Sequence, residues 1–306
     1  MTPSSGNLET IGQNLRYQDQ KLRFFHDASP DQSKKEDRAV TSSIPSGSQP
    51  TNTIRPMPFG LSLVYFGIPT AVFFVGFHVV MPALIAAGNR PFYAFLLATG
   101  TPLALMLAAS LVAYRLEGNA MTWPDLRHRF RLHPMSGKTW LSTIGVFILL
   151  FLFTGIALGI CQRLIAAGVM PVPKSLPAWL DPVSGMLDIS AMDQAFGGLT
   201  GNWVAVISYL ILLALNIIGE EFWWRGYILP RQELAFGKGT WVIHGTMWAL
   251  FHAFKWWHII GLLPMTLGLS LYVIRSRNTT PGIVMHLAFN ALGLIPIILG
   301  VLGKFG

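Results

Sequence analysis

The sequence predicts an all-α protein, a polytopic transmembrane helix bundle of about seven spans, or eight. Three observations carry that expectation. The chain is 52% hydrophobic but only 12% charged, about half the charged share of a soluble domain. Its apolar residues fall in long uninterrupted runs, several reaching the roughly 20 residues that a membrane helix needs. Its basic residues sit between those runs, as the positive-inside bias requires.

Residues 1–55 differ from the rest. They are rich in Ser, Gln, Asp, Lys and Pro, with mixed charges such as SKKEDR at 33–38. Too little apolar surface is present to pack a domain, so a disordered polar cytosolic tail is expected there. The membrane domain then occupies 56–306. No basic, apolar and small-residue succession of the signal-peptide type opens the chain.

The spans follow in order. Runs at 61–87 and 91–114 are the first two. Residues 115–138 are polar and basic, with Arg115, Arg127, Arg129, Arg131 and Lys138 against Glu117 and Asp125. Within them Thr122 can cap a short helix with Pro124 and Asp125 in its first turn. Trp123, Leu126 and Phe130 fall on one face and the arginines elsewhere, the pattern of a helix lying in the membrane interface. Residues 139–165 give the third span, and 166–202 a long loop containing Pro and Gly. The fourth span starts at Trp203. Runs at 241–254, 257–274 and 281–302 complete the set, the first of these being short for a crossing.

With the N-terminus in the cytoplasm, segments 115–138, 226–240 and 275–280 fall inside. The basic-poor segments 88–90, 166–202, 255–256 and 303–306 fall outside. The net charge of +8 is thereby a topogenic signal rather than a nucleic-acid surface, and no nucleic-acid partner is expected. The single cysteine, Cys161, excludes an intramolecular disulfide and a two-cysteine metal site.

The fourth span carries the chemistry. It ends in NIIGEEFWWRGYILPR, 216–231, which places two adjacent glutamates in an apolar helix. A charged side chain there costs roughly 2.5–3.5 kcal/mol on insertion scales, so each needs a reason. Glu221 and Arg225 are four apart in the favourable order, which assigns them to each other. Glu220 points about 100° away and has no local partner of opposite charge. Trp223, Trp224 and Tyr227 read as interface-belt or packing aromatics.

Three further polar groups recur in later apolar helices: His252, then His286 and Asn290, four apart on one face. At about 1.5 Å per residue, Glu220, His252 and Asn290 lie roughly 14–18 Å from the cytosolic ends of three separate helices, with His286 somewhat shallower. Four polar side chains at a common depth point to an active site. His78, His244 and His258 are more simply hydrogen-bonding residues between helices.

These residues also form motifs. Glu220-Glu221-xxx-Arg225 resembles the EExxxR motif of the CPBP family of intramembrane proteases, which includes the CAAX prenyl endopeptidase or Abi type. Trp248-xxx-His252 is similar to its FxxxH motif, with Trp for Phe, a change of size but not of character. His286-xxx-Asn290 is similar to its HxxxN motif. The resemblance covers about 203–302. It implies peptide-bond hydrolysis within the membrane, with Glu220 and His252 activating water, His286 and Asn290 holding the oxyanion, and Glu221 and Arg225 in support. The residue types suit those tasks.

The resemblance leaves cofactor chemistry open. No metal site is assigned, though Glu220, His252 and His286 would make an acceptable zinc set with one open position. No HExxH is present, and metal-independent glutamate catalysis is the favoured reading. The implied partners are membrane lipid and a peptide or protein substrate, with a lipidated tail as one option. The competing readings are a zinc-dependent version of the protease, a non-proteolytic scaffold or bacteriocin-immunity protein on the same fold, and a transporter using Glu220 as a proton site. A transporter would more often show internal repeats, and none is evident.

Overall fold

A computed structural model describes residues 54–183 and 188–304, and every regular element among them is helical. The expected polar tail lies outside the described residues except for its last two, Ile54 and Arg55.

Helix α1 spans Phe59–Ala86 and contains a π-helical turn at Gly76–Val80. Helix α2, Pro91–Leu116, follows, then the short α3, Trp123–Arg129, and α4, Gly137–Ala166. Helix α5, Ile189–Phe196, precedes α6, Trp203–Glu221. A π-helical segment, Phe222–Ile228, joins α6 to α7, Leu229–Phe236. Helix α8, Thr240–Phe251, passes through a 3₁₀ segment, His252–His258, into α9, Ile259–Ser276. Helices α10, Thr280–Ala291, and α11, Leu294–Val301, close the chain.

Side-chain caps start several of these where the sequence offers an oxygen. Ser136 accepts from Thr139 N and Asn202 from Ala205 N. Each meets one of the amide groups that a helix start leaves without a partner. Thr122 does the same for α3 through Asp125 N, as the sequence predicts.

Four helical stretches among the described residues are long and apolar enough to cross a membrane, and α10 with α11, bent by 46°, make a fifth if taken as one span. One of the four, Trp203–Ser276, has 74 residues. Straight, it would run to about 110 Å, far beyond a hydrocarbon core of about 30 Å. It instead turns back on itself, since α8 packs against both α7 and α9. The sequence-based spans at 203 onward, 241–254 and 257–274 all fall inside this stretch. Helix α8 alone, at 12 residues, reaches only about 18 Å.

The two sets of connecting segments gather at opposite ends of the bundle. At one end Arg129 meets Gly226, Asn278 meets His133, and Arg231 meets the Arg55 carbonyl. At the other, Arg90 donates to Phe196 O, Trp256 to Pro171 O and Gly201 N to Val301 O. These are the groupings that charge alone assigns to the two sides. On the outer faces Ile68, Leu105, Leu141 and Ile156 stand exposed, which suits a lipid rather than a water boundary.

The interfacial reading of α3 is corrected. Trp123 is exposed, but Leu126 and Phe130 are buried, and so is Arg129. Helix α3 is therefore docked on the protein through Phe130, whose ring meets Tyr114 and Phe222 edge-on. Arg129 is drawn inward because the π-helical segment offers it backbone carbonyls, described below.

Candidate active site

Helices α6, α8 and α10 bring the site together, with α6 packed on α2 and α10, and α10 also on α4. Glu220 and Glu221 close α6 and are both buried. The two carboxylates diverge and meet different partners, as the 100° offset of neighbouring helical residues requires.

Glu221 binds the Arg225 Nη1 at 2.9 Å, the pairing the sequence assigns. It also accepts from His286 Nδ1 at 2.9 Å through the same oxygen, Oε1. Glu220 pairs with no cation among the described residues. Three neutral N–H groups hold it instead. Asn216 Nδ2 donates to Oε1 at 2.8 Å, and Trp248 Nε1 and Trp224 Nε1 donate to Oε2 at 2.8 and 3.3 Å. Hydrogen bonds to an ionised acceptor are the stronger kind, and they satisfy a carboxylate as buried as this one. His286, His252 and Arg225 are the charged or titratable groups whose fields bear on Glu220, and Lys255 also feels it.

Trp248 ties the two carboxylates into one unit. Its nitrogen serves Glu220, its ring lies 3.5 Å from the Arg225 guanidinium, and His286 meets it edge-on at 5.3 Å. Replacing Phe by Trp is thus a change of character as well as size, because the indole adds a donor that phenyl lacks. Trp223 and Trp224 are likewise buried packing residues rather than members of an interface belt. Trp223 meets both Tyr65 and Tyr227, which also meet each other, and Trp224 stacks on Phe66.

His252 stands where α8 ends. Its Nδ1 lies 2.9 Å from Trp248 O. A carbonyl can only accept, so Nδ1 carries the proton, and Nε2 is the nitrogen left for reactants. Asn290 is one turn beyond His286, with Nδ2 donating to the His286 carbonyl at 3.1 Å. Its own carbonyl accepts from Tyr209 Oη. The site thus joins Glu220, Glu221, Arg225, Trp248 and His286 by direct contact, adds His252 through the Trp248 carbonyl, and reaches Asn290 through the backbone of α10.

His78 and His244 behave as helix-linking groups. His78 Nε2 donates to Phe254 O at 2.8 Å, and His244 Nδ1 lies 2.7 Å from Gln232 Oε1.

Sequence reasoning missed three contributors. Asn216 sits at i−4 from Glu220, a spacing that could have revealed it. Trp248 was found only as a motif member. Arg129 had no signal at all. The π-helical segment carries Arg225, and Arg129 Nη1 donates to Gly226 O at 2.8 Å while Glu117 holds the same guanidinium at 2.8 and 3.0 Å. Gly226 is required there, since a Cβ would lie 2.8 Å from the Phe130 ring.

The sequence offers Glu220, His252 and His286 as an acceptable zinc set. Among the described residues no three His, Cys, Asp or Glu side chains are gathered closely enough to hold an ion.

The segment that builds all of this has relatives. Residues 202–292 match the Rce1-like family, described as type II CAAX prenyl endopeptidases. The Rce1-like segment takes in α6 to α10, and with them every site residue from Asn216 to Asn290. Helices α1 to α5 lie outside it. The family is one of proteases and accords with the CPBP reading of the three motifs. No curated protein and no solved structure matches the chain.

Proposed function

We propose that this chain is an intramembrane endopeptidase that hydrolyses a peptide bond near the cytosolic membrane face. One observation carries the reading. A buried carboxylate, Glu220, is held by neutral donors beside two histidines from separate helices, within the segment that matches a protease family. A structural glutamate at that depth would be expected to pair with a cation, and Arg225 is close but is bound to Glu221 instead.

The chemistry follows from the atoms left free. Water between Glu220 and His252 Nε2 gives up a proton to one of them as its oxygen attacks the peptide carbonyl carbon. The oxygen of the tetrahedral intermediate is held by Asn290 and His286. Asn290 has a second amide hydrogen beyond the one given to the His286 carbonyl. His286 reaches the oxygen through Nε2, which donates only when the ring carries both protons. Collapse breaks the C–N bond, and the proton taken from water passes to the leaving amine. No step needs a metal. Substrate enters from the end of the bundle formed by 115–138, 226–240 and 275–280, or laterally from the adjoining leaflet.

The test is peptide cleavage by purified protein in detergent or bilayer, wild type against Glu220→Ala, with products located by mass spectrometry over lipidated and unlipidated peptides. Cleavage by the wild type alone supports the reading. No cleavage of any peptide by folded wild type, or equal cleavage by the variant, rejects it in favour of a scaffold.

A further inference from the structure

Glu221 is the buried charge whose bonding exceeds what a structural ion pair needs. Its side chain is fully buried, as is that of Arg225. An arginine and a carboxylate that meet for strength do so as a fork, with two parallel hydrogen bonds. Here there is one. Among the described residues Arg225 Nε and Nη2 have no hydrogen-bond partner, and neither does Glu221 Oε2. The oxygen that Arg225 does bind, Oε1, is the one turned to His286 Nδ1. The carboxylate is therefore oriented towards the histidine, and the ion pair gives up its second bond.

The consequence for His286 is chemical. A carboxylate oxygen accepts and does not donate, so Nδ1 carries the proton. The ring is fixed at its other side by the Trp248 indole, itself held by Glu220 and Arg225. His286 can meet a reactant only through Nε2. Helix α10 approaches closely enough for this because residue 282 is Gly. A Cβ there would lie 3.2 Å from Glu221 Oε2.

We propose that Glu221 is a positioning residue for His286, gripping the ring by Nδ1 so that Nε2 is the atom presented to the substrate. The assignment rests on the endopeptidase reading for its catalytic consequence. Arg225 then serves to hold the Glu221 carboxylate in place. Carboxylates in this supporting position act on rate through the histidine that they orient.

The experiment has two arms. In the first, Glu221→Gln and the shorter Glu221→Asp are compared with wild type on a cleaved peptide, per folded molecule. The expected result is a kcat lower by about 10–100-fold with KM within about twofold. Combined with His286→Ala, either substitution adds no further loss. Unchanged kcat per folded molecule, or effects that multiply in the double variant, overturns the proposal. Glu221→Asp retains the charge facing Arg225, so it keeps the comparison alive if Glu221→Gln does not fold. In the second arm, ¹⁵N spectra of histidine-labelled wild type are read for His286, with His286→Ala giving the assignment. A proton on Nδ1 is expected, and a neutral ring protonated on Nε2 alone overturns the proposal. This arm needs no activity. If wild type cleaves nothing, the endopeptidase reading fails while the spectrum still decides how Glu221 holds the ring.

Discussion

The Trp248 indole nitrogen donates to Glu220 Oε2 at 2.8 Å while the face of the same ring covers the Arg225 guanidinium at 3.5 Å. One side chain thus serves the first glutamate and the arginine of the EExxxR motif. Trp248→Phe keeps the face and loses the donor. Stability should fall by about 1.5–3 kcal/mol, the range for a hydrogen bond to a charged group. Trp248→Ala should cost more, since it also uncovers Arg225 and leaves a cavity. Thermal unfolding in detergent orders the two variants, and equal losses would show that the indole N–H contributes nothing.

Glu220→Gln should lower peptide turnover by about 10²–10⁴-fold, the usual contribution of a positioned acid or base. The folded yield should remain high, with a melting temperature reduced by only a few degrees. That reduction arises because the glutamine NH₂ must face at least one of the donors Asn216, Trp224 or Trp248. Activity retained in a folded Glu220→Gln protein would remove Glu220 from the mechanism.

Asn290→Ala should reduce kcat by about 10²-fold or more if the amide stabilises the oxyanion. Metal analysis after exhaustive chelation should leave that mechanism active in metal-free enzyme. Loss of activity on chelation, restored by stoichiometric zinc, would replace the metal-independent route and leave the peptidase assignment intact.

Arg129→Leu should destabilise the fold by about 3 kcal/mol, the low end for breaking a buried pair, because Glu117 keeps some exposure. Arg129→Lys should not restore it, since an ammonium cannot bridge Glu117 and the Gly226 carbonyl with the same fork. Full recovery by lysine would show that charge alone matters there.

A deletion of residues 1–50 should leave peptide turnover intact. Extending the cut through Met57 should lower stability, because Met57 is fully buried and its N–H donates to Arg231 O. Equal melting temperatures for the two truncations would contradict this.

Local spacing made part of the site legible. The Glu221–Arg225 pair follows from four residues on one helix, and the His286–Asn290 relation follows from the same rule. What spacing cannot show is which donor arrives from another helix. The cage around Glu220 depends on Trp248 from α8, and the second bond of Glu221 depends on His286 from α10. Arg129 was misplaced for a related reason. Helical periodicity puts it on a polar face, but the carbonyls of a π-helical turn need a donor, and burial followed that need. Composition separates three crossings between Trp203 and Ser276, whereas helical continuity does not, because α6 to α9 run on through π and 3₁₀ segments as one stretch.

The π-helical segment at Phe222–Ile228 makes the chain more tolerant of a lost residue there than an ordinary helix is, where a deletion turns everything downstream by about 100°. Each backbone bond there closes over five residues rather than four, so the segment holds one residue more than an α-helix of the same rise. A single-residue deletion anywhere within it would let the chain relax into regular α-helix. Everything after it would keep nearly its present rotation and height, because the residue removed is the one that the wider turn absorbs. Among homologous chains the count between the second glutamate and the proline at 230 should therefore vary by one residue more readily than the count within the α-helical stretches.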